Sequence, residues 1–523
     1  MTVDLSPTMP RYYVTTPIYY VNDVPHLGHA YTTVACDALA RFMRLDGREV
    51  RFTTGTDEHG QKVAKSAAAA GLEPGAFTDR VSERFRSLVE AVGAAPNDFI
   101  RTTEDRHYRS VQEIWRRLVQ RDEIYTGKYE GWYSVRDEAY LAESELVRQL
   151  DGTFRAASGA PVEWVAESSY FFRLSRWQEP LLRWYAEHPD FIGPESRRNE
   201  VVRFVEGGLE DLSVSRTSFR WGIPVPDDPE HVIYVWVDAL TNYLTSAGFP
   251  DEGSETYDRF WPATLHVVGK DIVRFHAVYW PAMLLAAGLT PPRRVFAHGW
   301  WTVEGQKMSK SVGNVVDPFQ LVQEYGLDQV RYFLLREVPF GNDGDYSRAA
   351  MIHRANADLA NDYGNLAQRV LTLIQRNCGG AIPERGEATA EDDGLLQAAA
   401  RLGPELRPLM ESQQMHAALR ALWDVIRAAN AYIDHAAPWA LARTDLARCQ
   451  TVLSVLLEVL RRVSIFSQPF VPVGAAAILD QLAVPVDRRN FSDADEGPAP
   501  GTPLDPPTAV FPRLATEVAA HAG

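Results

Sequence analysis

Two short runs, far apart in the chain, carry residue types that handle phosphate. The first is His26-Leu27-Gly28-His29, where a strand pattern gives way to a helix pattern. A helix start presents N–H groups with no partner inside the helix, and its dipole is positive, so anions settle there. Two imidazoles at that point can donate hydrogen bonds to a triphosphate, and Gly28 leaves room for a nucleotide base to approach the backbone. The plain alternative is a helix start with two surface histidines. The second run is Lys307-Met308-Ser309-Lys310-Ser311, followed by Val312-Gly313-Asn314. Two lysines on a small Ser- and Gly-bearing loop suit a mobile clamp on leaving pyrophosphate. Charge grows on the bridging oxygen as the α–β bond breaks, so donors placed there favour the transition state over the bound nucleotide. Loop closure would tie this to substrate arrival. Standing alone, the run would read as a solvated basic turn.

The elements needed to position both runs are legible. Residues 11–16, rich in Tyr, Val and Thr, predict a strand. After a turn-rich stretch over 17–26, residues 28–45 predict a helix, with Ala30, Val34, Ala38 and Phe42 on one face and Gly47 as the stop. Residues 50–54 predict a second strand. This order implies a parallel α/β sheet that binds a nucleotide. Helices follow over 61–70, 75–92 and 105–121. Short aromatic and polar runs then mark a mixed β-rich insertion, after which strands are predicted at 232–237, 265–268 and 295–297, with a helix over 271–287. Helical spacing over 359–374, 395–402, 415–433 and 450–466 predicts a bundle. A stretch rich in Pro, Asp and Gly over 484–512 reads as an extended tail.

The expected fold is therefore α/β: a Rossmann-type parallel-sheet domain split by an insertion and followed by an α-helical bundle. The expected divisions are 1–121 and 227–346 for the two halves of the sheet domain, 122–226 for the insertion, 347–482 for the bundle and 483–523 for the tail.

The 523 residues are 46% hydrophobic and 23% charged, which excludes wholesale disorder. A net charge of −16, from 53 basic and 69 acidic residues, disfavours indiscriminate nucleic-acid binding but leaves room for one local basic groove. The longest apolar stretch, 277–289, contains Pro281 and is shorter than the ~18 residues of a membrane span. The first residues lack a basic head and apolar block, so no secretory signal is expected. Cys36, Cys378 and Cys449 lie far apart and form no framework, which fits a reducing cytoplasm.

With both runs placed in one split sheet, the sequence resembles the class I aminoacyl-tRNA synthetases, whose two signatures have these forms and this order. The resemblance narrows to the methionyl-tRNA synthetase family, of the bacterial type lacking the zinc cysteines. It is carried by YYVTTPIYYVNDVPHLGHAY, GTDEHG, YVWVDALTNY, GKDIVRFHAVYWPAML, HGWWTVEGQKMSKSVGN, NDYGNLAQR and APWALAR, and covers residues 11 to about 472. It implies ATP-dependent activation of L-methionine to methionyl-adenylate, then transfer to the terminal adenosine of tRNA(Met), initiator tRNA included. Mg²⁺ would screen the phosphates.

The same resemblance assigns residues. His26, Gly28, His29, Lys307 and Lys310 would be catalytic. Ile18 and Tyr20 would line the amino-acid pocket, and Asp57 would pair with the α-ammonium; its alternative is a helix N-cap. Trp236, Ala239, Leu240, Tyr243, Ile272 and His276 would enclose the thioether, whose polarizable sulfur gains from aromatic contact and could accept weakly from Tyr or His; plain core packing is the alternative. Besides the two histidines, Gly28 and Lys310, ATP would meet Gly269 and Asp271 at the ribose. His298, Gly299 and the main chain of Trp301 would lie beside adenine. Asn361, Asn365 and Arg369, four apart, would read anticodon bases, with Trp439 after Pro438 as a stacking platform. Helix-surface polar residues and a core Trp are the alternative.

One departure concerns zinc. Many relatives hold it through cysteine pairs in the insertion, but no cysteine occurs between Cys36 and Cys378. No structural zinc is expected, and a cluster of Trp, Tyr and Phe is the candidate brace. The chain also ends without the extra C-terminal module through which some relatives dimerise, so a monomer is expected. Isoleucine, valine and leucine enzymes share both runs but need an editing domain, for which this insertion is too short. A small-molecule nucleotidyltransferase would account for the sheet and not for the lysine loop with a bundle. A non-catalytic tRNA-binding relative would have no reason to keep His26, His29, Lys307, Lys310 and Asp57 together.

Overall fold

The computed structural model describes residues 10–22, 24–149, 151–308 and 313–515. Its centre is a seven-stranded parallel sheet. Across it run Ile192–Gly193, Val295–His298, Leu265–Gly269, Arg11–Thr15 and Glu49–Asp57, and the last also pairs with Tyr19–Tyr20 and Asp98–Arg101. Along the central strand, side chains alternate between two cores. Tyr12 and Val14 join the core shared with helix Leu27–Leu45, whereas Tyr13 joins the one that holds helices Val235–Ala247 and Trp280–Ala286. A strand covered on both faces reads as an unbroken apolar run, which is why this segment lacks a polar alternation.

Helix Leu27–Leu45 ends where expected, with Asp46 N–H donating to Phe42 and Gly47 at φ 79°. The strand expected over 232–237 is half strand and half helix: Asp228–Ile233 is extended, and Val235–Ala247 is a helix. That helix is buried on almost every side, so its sequence carries no amphipathic period to mark it. The helix expected over 271–287 is broken into a 3₁₀ turn at Lys270–Ile272, a π-helical turn at Phe275–Tyr279 and the α-helix Trp280–Ala286. Pro281 has no N–H for the preceding turn, and Trp280 N–H reaches back five residues to Phe275.

The insertion is built on a long antiparallel pair, Ile124–Ser134 against Glu163–Phe172. Trp132 meets Trp164 and Phe154 at 5.4 and 5.5 Å, and Arg216, paired with Glu167, lies 4.1 Å over Tyr133. The aromatic cluster thus supplies contacts within this segment. Ile192–Gly193, within the segment read as insertion, joins the edge of the main sheet through Ile192–Val295 pairing.

Helices Asn365–Asn377, Met415–Ala436 and Leu446–Ser467 form the bundle and share a continuous core with Leu27–Leu45. The join is fixed by fully buried Arg331, which pairs with Asp37 at 2.8 Å and donates to the carbonyls of Val92, Pro469 and Phe470. The expected extended tail is instead laid along the bundle. Phe491, Leu504 and Phe511 are buried, and Leu504 N–H donates to Gly380. Its Pro and Gly content suppresses regular structure without removing these anchors. Among the described residues no helix is long and apolar enough to cross a membrane.

Candidate active site

Strands Arg11–Thr15, Glu49–Asp57, Leu265–Gly269 and Val295–His298 point their carboxyl ends to one edge of the sheet. The chain leaves Arg11–Thr15 to pair on one side and returns on the other, so this edge holds a crevice at a topological switch point, where ligands of open α/β sheets bind. Asp57, Gly269 and His298 are the last residues of their strands, and Ile18, Tyr20 and His26 follow the first. The first run is fastened to the segment that follows the second: Leu27 N–H at the helix start donates to the carbonyl of Val316 at 3.2 Å. Thr32 on the same helix bonds His298 at 2.7 Å. Lys307 sits on the hairpin of Trp301–Val303 and Gln306–Lys307, its ammonium 5.0 Å from the Trp300 ring. Lys310 lies outside the described residues.

The helix start fixes the histidine tautomers. Gly28 N–H donates to His26 Nδ1, and His26 N–H donates to His29 Nδ1, both at 3.1 Å. With Nδ1 accepting, each neutral ring carries its proton on Nε2, so both present that N–H as a donor. Burial and neighbouring His26 hold the His29 pKa well below its ordinary value, so His29 acts as a neutral donor. A Cβ on Gly28 would lie 3.0 Å from His26 Cε1. The bare Gly28 backbone therefore makes room for the His26 ring, a need the sequence reading assigned only to the nucleotide.

Asp57 does not cap a helix; the following helix, Gln61–Ala69, is capped at Gly60. Asp57 is buried, and its Oδ1 has no hydrogen-bond partner among the described residues. Burial, then Asp238 and Glu138, push its pKa well above the usual carboxylate range. A ligand ammonium would remove that penalty. Beside it, Tyr20 is half-buried and Ile18 precedes the strand Tyr19–Tyr20.

Ala239, Leu240 and Tyr243 are buried along Val235–Ala247, and His276 lies in the π-helical turn facing them. Tyr243 Oη is 2.7 Å from His276 Nε2, and His276 Nδ1 is 3.0 Å from the Ile272 carbonyl. The carbonyl accepts only, so Nδ1 carries the proton and Tyr243 donates to Nε2. Burial lowers the His276 pKa to about 4, keeping it neutral. Both hydrogens are thus committed inside the protein, which leaves neither residue the weak donation to a thioether that the sequence allowed. What the pair leaves for a ligand is ring surface, with Trp236 edge-on to His276 at 6.2 Å.

At the other end, Asp271 accepts from Trp300 Nε1 at 3.0 Å, and a Cβ on Gly269 would meet Asp271 Oδ1 at 2.5 Å. His298 is satisfied within the protein by Thr32 and the Gly299 carbonyl. A Cβ on Gly299 would strike the Asn342 carbonyl at 2.2 Å, so the fold itself requires glycine there. The Trp301 side chain packs in the core against Tyr31 and Phe333, and its main chain pairs with Gly344.

In the bundle, Asn361 lies in the π-helical turn Ala355–Gly364 rather than on one α-helical face with the other two. Asn365 is exposed on the next helix, while Asn361 accepts from Arg513 of the tail. Arg369 pairs with Asp434 and lies 5.7 Å over Trp439. Trp439 is 46% exposed, which rules out the core alternative, and stands next to buried Pro438.

Several residues at the crevice were given no role by the sequence, although some stand inside the quoted runs. Asp238 is held between His59 and His107, at 2.7 Å from each, and all three are buried. Burial raises the Asp238 pKa, and the two imidazoles bring it below the ordinary value. Phe275 stacks on Trp236 at 3.7 Å. Glu138 reaches Tyr20 from the insertion. These act through tertiary contacts between distant segments, which only the fold reveals. No group of three or more His, Cys, Asp or Glu among the described residues is arranged to hold a metal ion.

Comparison with known proteins places this geometry in a family. The model for tRNA synthetases class I (M) matches residues 12–153 and 147–371, and that for the anticodon binding domain of methionyl tRNA ligase matches 382–521. A methionine--tRNA ligase of Mesorhizobium japonicum is 56% identical over 98% of this chain and 99% of its own. One from Mycobacterium leprae is 53% identical over 97% and 95%. The solved Mycobacterium tuberculosis methionyl-tRNA synthetase in complex with methionyl-adenylate superposes with a TM-score of 0.95, at 52% identity, covering 97% of this chain and all of that one. The chain belongs to the methionyl-tRNA synthetases of class I.

Proposed function

We propose that this protein activates L-methionine with ATP and transfers it to tRNA(Met). The observation that supports the reading is the Leu27–Val316 hydrogen bond, which ties the histidine-bearing helix start to the segment just after the lysine run. Asp57 would receive the α-ammonium, and Trp236, Ala239, Leu240, Tyr243, Ile272, His276, Ile18 and Tyr20 would enclose the side chain. The methionine carboxylate attacks the α-phosphorus, the α–β P–O bond breaks, and pyrophosphate leaves with the electron pair. The carboxylate is already ionised at neutral pH, so no general base is needed, and rate comes from positioning and charge stabilisation. The Nε2–H groups of His26 and His29 and the ammonium groups of Lys307 and Lys310 would stabilise phosphate charge. Asp271 and Gly269 would meet the ribose, with His298, Gly299 and the Trp301 main chain beside adenine.

Mg²⁺ would travel with the triphosphate; among the described residues the donor set offers no carboxylate cage, which fits an ion held by phosphates and water. A terminal adenosine hydroxyl of the tRNA then attacks the adenylate carbonyl and AMP leaves. Asn361, Asn365, Arg369 and Trp439 would meet the anticodon. The reading includes the five divisions given above, a monomeric state and a cytoplasmic location, with no structural zinc. Amino-acid-dependent exchange of labelled pyrophosphate into ATP tests it. Methionine alone of the twenty should drive exchange, and exchange driven by leucine or cysteine but not methionine would overturn it. Lys310→Ala should slow adenylate formation more than it weakens methionine binding in stopped-flow measurements; equal losses would contradict a transition-state role.

A further inference from the structure

We infer that Glu138, contributed by the insertion, is a positioning residue that holds Tyr20 as a wall of the amino-acid site. The inference rests on the proposed methionine activation. Glu138 is 5% exposed and adopts φ 47°, a left-handed conformation that non-glycine residues rarely hold without compensating contacts. Three of those contacts leave the insertion, and one stays within it. Its Oε1 accepts from Tyr20 Oη at 2.9 Å and from Lys62 N–H at 3.1 Å. Its Oε2 accepts from Tyr133 Oη. Its carbonyl accepts from Tyr234 Oη at 2.6 Å, and Tyr234 immediately precedes the helix that bears Trp236, Ala239, Leu240 and Tyr243.

One residue of the insertion therefore ties together two walls of the proposed pocket. Tyr20 pairs in register with Asp57, so the rotation of the Tyr20 ring sets how the space beside the carboxylate, whose Oδ1 has no partner among the described residues, is enclosed. The close fit is visible at Gly60, at φ 102°, where an added Cβ would lie 2.7 Å from Tyr20 Oη and 3.1 Å from Glu138 Oε1. The sequence hides this link because Tyr20 and Glu138 are 118 residues apart.

The test is methionine-dependent pyrophosphate exchange by the full chain, with KM for methionine, KM for ATP and kcat measured separately. Glu138→Ala leaves the Tyr20 hydroxyl without its charged acceptor, so it should raise the methionine KM by about 10-fold or more. The ATP KM should stay within about twofold. Glu138→Gln keeps an acceptor for Tyr20 and Lys62 and offers its amide to the Tyr133 oxygen, so it should restore most of the methionine KM. Tyr20→Phe should raise that KM too, and Tyr20→Phe with Glu138→Ala should be no worse than the poorer single variant, since both remove one interaction. Additive losses, or equal rises in both KM values, would overturn the role. If Glu138→Ala does not fold, an unchanged methionine KM in Tyr20→Phe would overturn it by itself. Absence of methionine-dependent exchange in the unmodified protein would instead sink the proposed function.

Discussion

A carboxyl group whose Oδ1 is buried without a partner, as in Asp57, works against the ligand-free fold. Its folded pKa is raised by burial and by Asp238 and Glu138, so the folded state holds the proton more tightly than the unfolded chain does. That contribution is fully present below the ordinary carboxylate pKa of about 4 and is lost as pH rises through the folded value. Asp57→Asn should therefore raise the melting temperature of the ligand-free protein at neutral pH, and the gain should fade toward about pH 4. The same substitution should lower kcat/KM for methionine by roughly 30-fold or more, since a charge pair that loses one partner costs about 2–5 kcal/mol. Calorimetry beside exchange kinetics checks the pair of effects, and a variant both destabilised and fully active would contradict the assignment. His276, held neutral with its pKa lowered to about 4, should show no ring titration between pH 5.5 and 8 by NMR, given a range centred on its ordinary value of about 6.5.

Helices with an amphipathic face were legible, and several elements without a regular period were not. Helices Gln61–Ala69, Pro74–Ala91 and Asp105–Gln120 lie where the apolar spacing predicts them. Val235–Ala247 is buried all round, Ile192–Gly193 is too short for any period, and the π-helical turns at Phe275–Tyr279 and Ala355–Gly364 shift the phase of longer helical patterns. The candidate site divides the same way. His26, Asp57 and Lys307 stand in recognisable local runs, whereas Glu138 and the His59–Asp238–His107 group exist only once distant segments meet. Helix Pro438–Thr444 presents Trp439 to solvent beside Arg369. Trp439→Ala should cut tRNA charging by about 5- to 150-fold, from ~1–3 kcal/mol of base stacking, while pyrophosphate exchange is unchanged. Loss of both activities would mean that the indole supports the fold.

At the scale of the molecule, one continuous core runs from the parallel sheet into the helical bundle, and Arg331 closes it. Its guanidinium is fully buried, paired with Asp37 on the helix that begins with His26 and Gly28, and bonded to carbonyls on both sides of the join. Removing one partner of a buried ion pair costs about 3–5 kcal/mol, so Arg331→Leu should lower unfolding free energy in urea by that order. Sheet and bundle should still unfold together, with tryptophan fluorescence and far-ultraviolet dichroism coincident; separated transitions would contradict a shared core. On the proposed function, the helix start at His26, the carboxylate of Asp57 and the lysine loop together enclose one methionine and one ATP. A crystal structure with methionine and a non-hydrolysable ATP analogue would test that arrangement. It should show the α-ammonium on Asp57, the thioether against Trp236 and His276, and the triphosphate between the His26–His29 turn and Lys307. Methionine bound away from Asp57, or a nucleotide that touches neither the histidines nor the lysine loop, would contradict it.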